Sequence, residues 1–190
     1  MTDFAKDILT IVQTILSLSA CILAFWIPKK IKWEQMYSQL LTDYCGYDFG
    51  AAVMGVVLFF HNDCNNNVDN IPDRYKERFL KDFSIENNNS SVPNDKNLHL
   101  QRRLLVQFYC QLDLCARSIF IGKRRVQKDF SSKEANLLKI LYFMNEAANT
   151  EPIFMDISSD ERIRHDKHGI NSYISNIYSL LKDSPEYIRQ

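Results

Sequence analysis

Residues 8–28 read ILTIVQTILSLSACILAFWIP, and none of them is charged. A helix needs roughly 20 apolar residues to cross about 30 Å of hydrocarbon, so this run predicts one transmembrane helix. Gln13, Thr14, Ser17 and Ser19 dilute its hydrophobicity, but Thr and Ser can return their hydroxyls to backbone carbonyls four residues earlier. Trp26 falls at the far end, where indoles favour the water interface, and Lys29, Lys30 and Lys32 follow at once. On the other flank Lys6 stands against Asp3 and Asp7. The lysine asymmetry predicts the N-terminus outside and the remainder in the cytoplasm. Three rival readings exist. A cleaved secretory signal would want a basic start and a small-residue cleavage site, whereas this chain has an acidic start and Phe25-Trp26-Ile27. Leu18-Ser19-Ala20-Cys21 resembles the lipobox of a lipid-modified cysteine, yet an apolar run follows Cys21 where a polar tether is expected. The third rival is a helix buried in a soluble core.

Composition sets the remaining bounds. With 190 residues, 46% of them hydrophobic, the chain can bury one sizeable core. Its formal net charge is zero, and residues 33–190 keep 19 basic and 21 acidic side chains, so no nucleic-acid partner is expected. Only 5 Gly and 5 Pro speak against a sandwich or barrel. The 5 cysteines include no CxxC pair, and Cys21 lies inside the apolar run, which suits free thiols in a reducing compartment. The expected organisation is a short flank (1–7), a transmembrane helix (8–28) and a cytoplasmic helical domain (29–190), with flexible loops near 61–71 and 84–97.

Within that domain, hydrophobic spacing predicts a mainly α bundle. Trp33, Met36, Tyr37, Leu40, Leu41 and Tyr44 recur at three- and four-residue steps, forming a helix continuous with the anchor apart from a local break at Pro28. Residues 49–60, FGAAVMGVVLFF, are apolar all round but too short to span a bilayer, and read as the central buried helix, with a strand over 53–60 as the local alternative. Gly50, Ala51, Ala52 and Gly55 would let neighbours approach closely there. Pro72 sits near the start of a helix carrying Tyr75, Phe79, Leu80 and Phe83. Over residues 98–120, Leu105, Phe108, Leu112, Cys115 and Ile119 make the strongest seam, with Asp113 and Arg117 as an i,i+4 pair and Gly122 as C-terminal cap. Ser131-Ser132-Lys133-Glu134 has capping-box form before Leu137, Leu138, Leu141, Met144 and Ala148, and Ser158 and Glu161 repeat that spacing. Ile170, Tyr173, Ile174, Ile177 and Leu181 form a last stripe.

Chemical signatures are sparse. His165 and His168 are three apart, but zinc needs three or four ligands at defined spacing, and nothing brings His61, Asp63 or Cys64 to them. There is no GxSxG elbow, Gly122-Lys123-Arg124 lacks the upstream glycine of a P-loop, and no carboxylate pair sits in an apolar setting. No catalytic residue, metal or cofactor is therefore expected. Two basic clusters remain, Arg102 with Arg103 and Lys123 with Arg124 and Arg125, with Lys128 one turn on. They suit a phosphate-bearing ligand, an anionic lipid or an acidic protein. Helical phase puts Arg102 beside the apolar face, where a guanidinium needs a partner, in the first instance an internal carboxylate.

An anchor followed by WEQMYSQLLTDY and a helical domain resembles the layout of bacterial inner-membrane proteins, and the Asn-, Ile- and Lys-rich style points the same way. The leading expectation is a membrane-tethered interaction or regulatory module, held by the bilayer and binding a protein or a copy of itself. A tethered sensor of anionic ligands comes second, and an enzyme of another type third.

Overall fold

The computed structural model describes residues 2–82, 98–150 and 167–182. Among these there are seven α-helices, one short 3₁₀ turn and no strand. The helices are α1 (Thr2–Tyr44), α2 (Tyr47–Asn62), α3 (Ile71–Asp82), α4 (Leu98–Arg117), α5 (Lys123–Asp129), α6 (Glu134–Thr150) and α7 (Lys167–Lys182). The mainly α expectation holds, and the strand alternative over 53–60 is replaced by α2. Of the segments read from sequence, residues 84–97, Phe83, Ser158, Glu161 and His165 lie outside the described residues.

α1 is unbroken through Pro28, although that residue has no N–H for the carbonyl of Ala24. Thr14 Oγ1 donates to the Thr10 carbonyl at 2.8 Å, and Ser19 Oγ donates to that of Ile15 at 2.8 Å. Each thus satisfies its hydroxyl within the helix. Every residue from 8 to 32 is exposed. Apart from a ring contact of Trp26 with Phe120, packing begins at Trp33, and Tyr37 and Leu40 are buried. The apolar part of α1 is long and apolar enough to cross a membrane and is no core element of this bundle. So large an uncovered apolar surface far exceeds the few hundred Å² usual on soluble monomers.

α4 lies at the centre of the bundle, against α1, α2, α5, α6 and α7. Leu105, Phe108, Leu112 and Cys115 are buried as their spacing requires. The centre is therefore α4 and not α2, which buries Phe49, Ala52, Val56 and Phe59 but leaves its other face open. An all-apolar helix carries no polar face to say which side is covered, so its composition misled. At Gly55 an added Cβ would fall 2.0 Å from the Gln101 side chain, so the close approach expected in α2 is real there; at Gly50 the space is open. An aromatic cluster joins the elements, with Phe49 and Phe108 centroids 4.6 Å apart and Tyr44 and Phe130 4.9 Å apart.

Three local readings change. Ile119 leaves the seam: α4 stops at Arg117, the Ser118 hydroxyl accepts from the Phe120 N–H at 3.1 Å, and Ile119 is 80% exposed. Gly122 is not a cap of α4 but precedes α5, at φ 79°, a region open to glycine, while its N–H returns to the Cys115 carbonyl at 3.4 Å. Glu134 opens α6, but its carboxylate accepts from the Tyr44 hydroxyl at 2.7 Å; its contact with Ser131 is the backbone bond of its N–H to that carbonyl, 3.2 Å. The asparagine-rich link from α2 to α3 holds Asn65 and Asn66 at φ 52° and 59°, left-handed values that asparagine tolerates. Asn70 Nδ2 ties it to the Cys64 carbonyl at 3.1 Å.

Candidate functional site

The two basic clusters are not brought together. Arg102 and Arg103 are near the start of α4, whereas Lys123, Arg124 and Arg125 open α5 beyond its other end. The fifteen residues from Arg102 to Arg117 alone separate them by about 22 Å along the axis.

Arg102 is 7% exposed and Arg103 faces solvent, as helical phase requires. Among the described residues its partner is not a carboxylate. An NH of the guanidinium donates to Asn145 Oδ1, and the group lies over the Tyr75 ring, 5.8 Å from its centroid. Asn145 Nδ2 then donates to Asn171 Oδ1 at 2.7 Å, so one buried amide links α4, α6 and α7. Arg102 Nε is buried without a hydrogen-bond partner among the described residues. Beside it, His99 Nδ1 is 3.1 Å from the Tyr75 hydroxyl. Burial, and then the Arg102 and Arg103 charges, push the His99 pKa down to about 3, so its imidazole is neutral.

The second cluster divides by direction. Val126 is buried, and the 100° helical step puts Arg124 and Lys128 opposite it, both exposed. Arg125 instead points to α1, where one NH reaches both Glu34 oxygens at 2.8 and 2.7 Å and the guanidinium covers the Tyr37 ring at 4.9 Å. The buried Tyr37 hydroxyl donates to Asp129 Oδ2 at 2.8 Å; burial, then that bond, holds its pKa well above the usual phenol range. About two turns before Glu34 and three before Tyr37, Trp26 meets Phe120 edge to face at 4.9 Å. α5 and the loop before it are thus clamped along α1. Sequence reading missed Glu34, Tyr37, Phe120 and Asp129, because their contacts span about ninety residues or more. On the other side of α5, Arg117 pairs with the buried Asp113 at 2.5 Å, as expected; burial raises the Asp113 pKa against the lowering by Arg117.

A third feature is the open face of α2. Tyr47 is 83% exposed and Met54 58%, and Val57 and Leu58 continue the stripe. An open groove of about 570 Å³ runs beside it, bounded by Leu98, Gln101 and Arg78. α2 starts against Tyr44 and Phe108 and reaches Gln101 by Gly55, so it leads away from the apolar part of α1.

No group of three His, Cys, Asp or Glu able to hold a metal occurs among the described residues. All 5 cysteines are free, and burial pushes both the Cys64 and Cys115 thiols up to about 11, away from nucleophilic thiolate. No protein-family model matches the sequence, and comparisons with curated proteins and with solved structures gave no match.

Proposed function

We propose that this chain is a single-pass bacterial inner-membrane protein whose cytoplasmic helical bundle is an interaction module for another protein chain. The observation that carries the reading is the open apolar face of α2, a helix that leads away from the apolar half of α1. A face on that side is remote from the bilayer that α1 would enter, so its complement is a protein surface and not lipid. Apolar residues at a stripe of Tyr47, Met54, Val57 and Leu58 match the enrichment of Tyr and Met in interface cores. Lys29, Lys30 and Lys32 support the cytoplasmic placement, and Lys123 and Arg124 add cationic charge on the same flank. A sensor built on both basic clusters has less support, since they lie at opposite ends of α4.

The test is photocrosslinking of the full-length protein in its native membrane. A photoreactive residue at Met54 should give a discrete protein adduct, either at twice the monomer mass or with one other chain. The same residue at exposed Glu146 should give none. Met54→Gln combined with Leu58→Gln should stop association without loss of folding. Equal labelling from both positions, or none from Met54, would sink the proposal.

A further inference from the structure

The order of residues at the end of the apolar stretch occurs twice in this chain. Trp26-Ile27-Pro28-Lys29-Lys30 is an aromatic residue, isoleucine, proline and two cations; Phe120-Ile121-Gly122-Lys123-Arg124 repeats that order with glycine in the place of proline. The fold sets the two copies side by side. Trp26 touches Phe120 at 4.9 Å, Glu34 is bonded to Arg125, and Tyr37 to Asp129. In that register, Lys29, Lys30 and Lys32 fall between the first two contacts on α1, and Lys123 and Arg124 fall between them on the other strand of the clamp. One level therefore carries Trp26, Phe120 and the exposed Ile119, and the next carries the three lysines of α1 and Arg124, with Lys123 on the side of α5 nearer Asp113.

We propose that residues 118–128 form a second, peripheral contact with an anionic bilayer surface. Ile119 and Phe120 enter the interfacial zone beside Trp26, while the exposed Arg124 and Lys123 at the start of α5 meet lipid phosphates at the level of the α1 lysines. The levels fit a bilayer. Lys29 and Lys32 lie three and six residues past Trp26, about 4.5 and 9 Å along the helix, comparable to the headgroup zone outside the hydrocarbon. Ile119 is 80% exposed at the tip of the loop, an unfavourable place for isoleucine in water and a favourable one at a lipid interface. Arg125 is excluded from the lipid contact because Glu34 and Tyr37 already hold it. That pairing gives the contact its rigidity, since it fixes α5 along α1 and so sets the angle at which the bundle leaves the membrane. This inference rests on α1 crossing the bilayer, and charge complementarity with continuity to Trp26 selects lipid as the occupant.

The experiment uses the full chain reconstituted in vesicles of phosphatidylcholine, with and without phosphatidylglycerol. An environment-sensitive fluorescent amino acid is placed at Leu16, Ile119 or Met54, and acyl chains carry bromine as a quencher. Leu16 should be quenched in both lipids, Ile119 quenched most with phosphatidylglycerol, and Met54 not at all. Lys123→Gln with Arg124→Gln should weaken the Ile119 signal about fivefold per cation removed, and high salt should do the same. If Leu16 is quenched while Ile119 responds like Met54, the second contact is overturned and the anchor stands. If Leu16 is not quenched, the spanning reading itself fails. Protection of Ile119 from water without quenching by lipid would mean a protein contact and would also overturn the proposal.

Discussion

Arg102 sits where helical phase alone puts it, yet its environment is unusual for a buried guanidinium. An amide, Asn145, and an aromatic face, Tyr75, take the place of a carboxylate. Neither cancels the charge, and burial first, then the Arg102 and Arg103 charges, hold the neighbouring His99 neutral. That gives a pH dependence with a definite sign. The folded His99 pKa, about 3, lies below its ordinary value of 6.5, so between these values the unfolded chain binds one more proton. Its contribution to stability is complete above 6.5 and is lost as pH falls toward 3, at up to about 1.4 kcal/mol per pH unit. The raised Asp113 and Glu134 carboxyls act in the opposite sense, favouring the folded state as they protonate. Urea unfolding of a fragment beginning at Lys32, compared with its His99→Gln variant from pH 7 to about 5, should therefore show a shallower fall in the variant. Parallel curves would refute the buried neutral imidazole.

α4 shows what periodicity can and cannot say about an element. Leu112 has no exposed surface, so Leu112→Ala in the same fragment should cost about 2–5 kcal/mol. Ile119 continues the same three-four spacing but lies beyond the helix end, and Ile119→Ser should stay within about 0.5 kcal/mol of wild type. Similar losses at both positions, measured by denaturant unfolding, would mean that the seam runs on past Arg117. Spacing repeats are blind to termination. The turn is made by a side-chain bond from Ser118 and the left-handed Gly122, features of single residues that leave the apolar period intact. α2 poses the converse difficulty. Its helix is legible from length and its flanks, but not the side it hides, because residues all round it are apolar.

For the whole molecule, the proposed placement rests on the lysines that flank α1. A reporter joined after Gln190 should be active only in its cytoplasmic form, and replacing Lys29, Lys30 and Lys32 by Asn should weaken that bias. Periplasmic activity of the unmodified fusion would reverse the orientation. The sequence by itself determined that residues 8–28 form an apolar helix of bilayer length and that amphipathic helices follow. Both depend on composition and spacing within some twenty residues, where hydrophobic transfer and backbone satisfaction act locally. Of the candidate site, it placed Arg102 beside the apolar face and Arg103 well round from it, since both follow from helical phase. Only the tertiary structure decided that Asn145 receives Arg102, that the two basic clusters lie apart, that α2 keeps an open face, and that Phe120 lies against Trp26. Each of these is a meeting of residues dozens of positions apart, and such meetings are set by how whole helices pack, which no local period encodes.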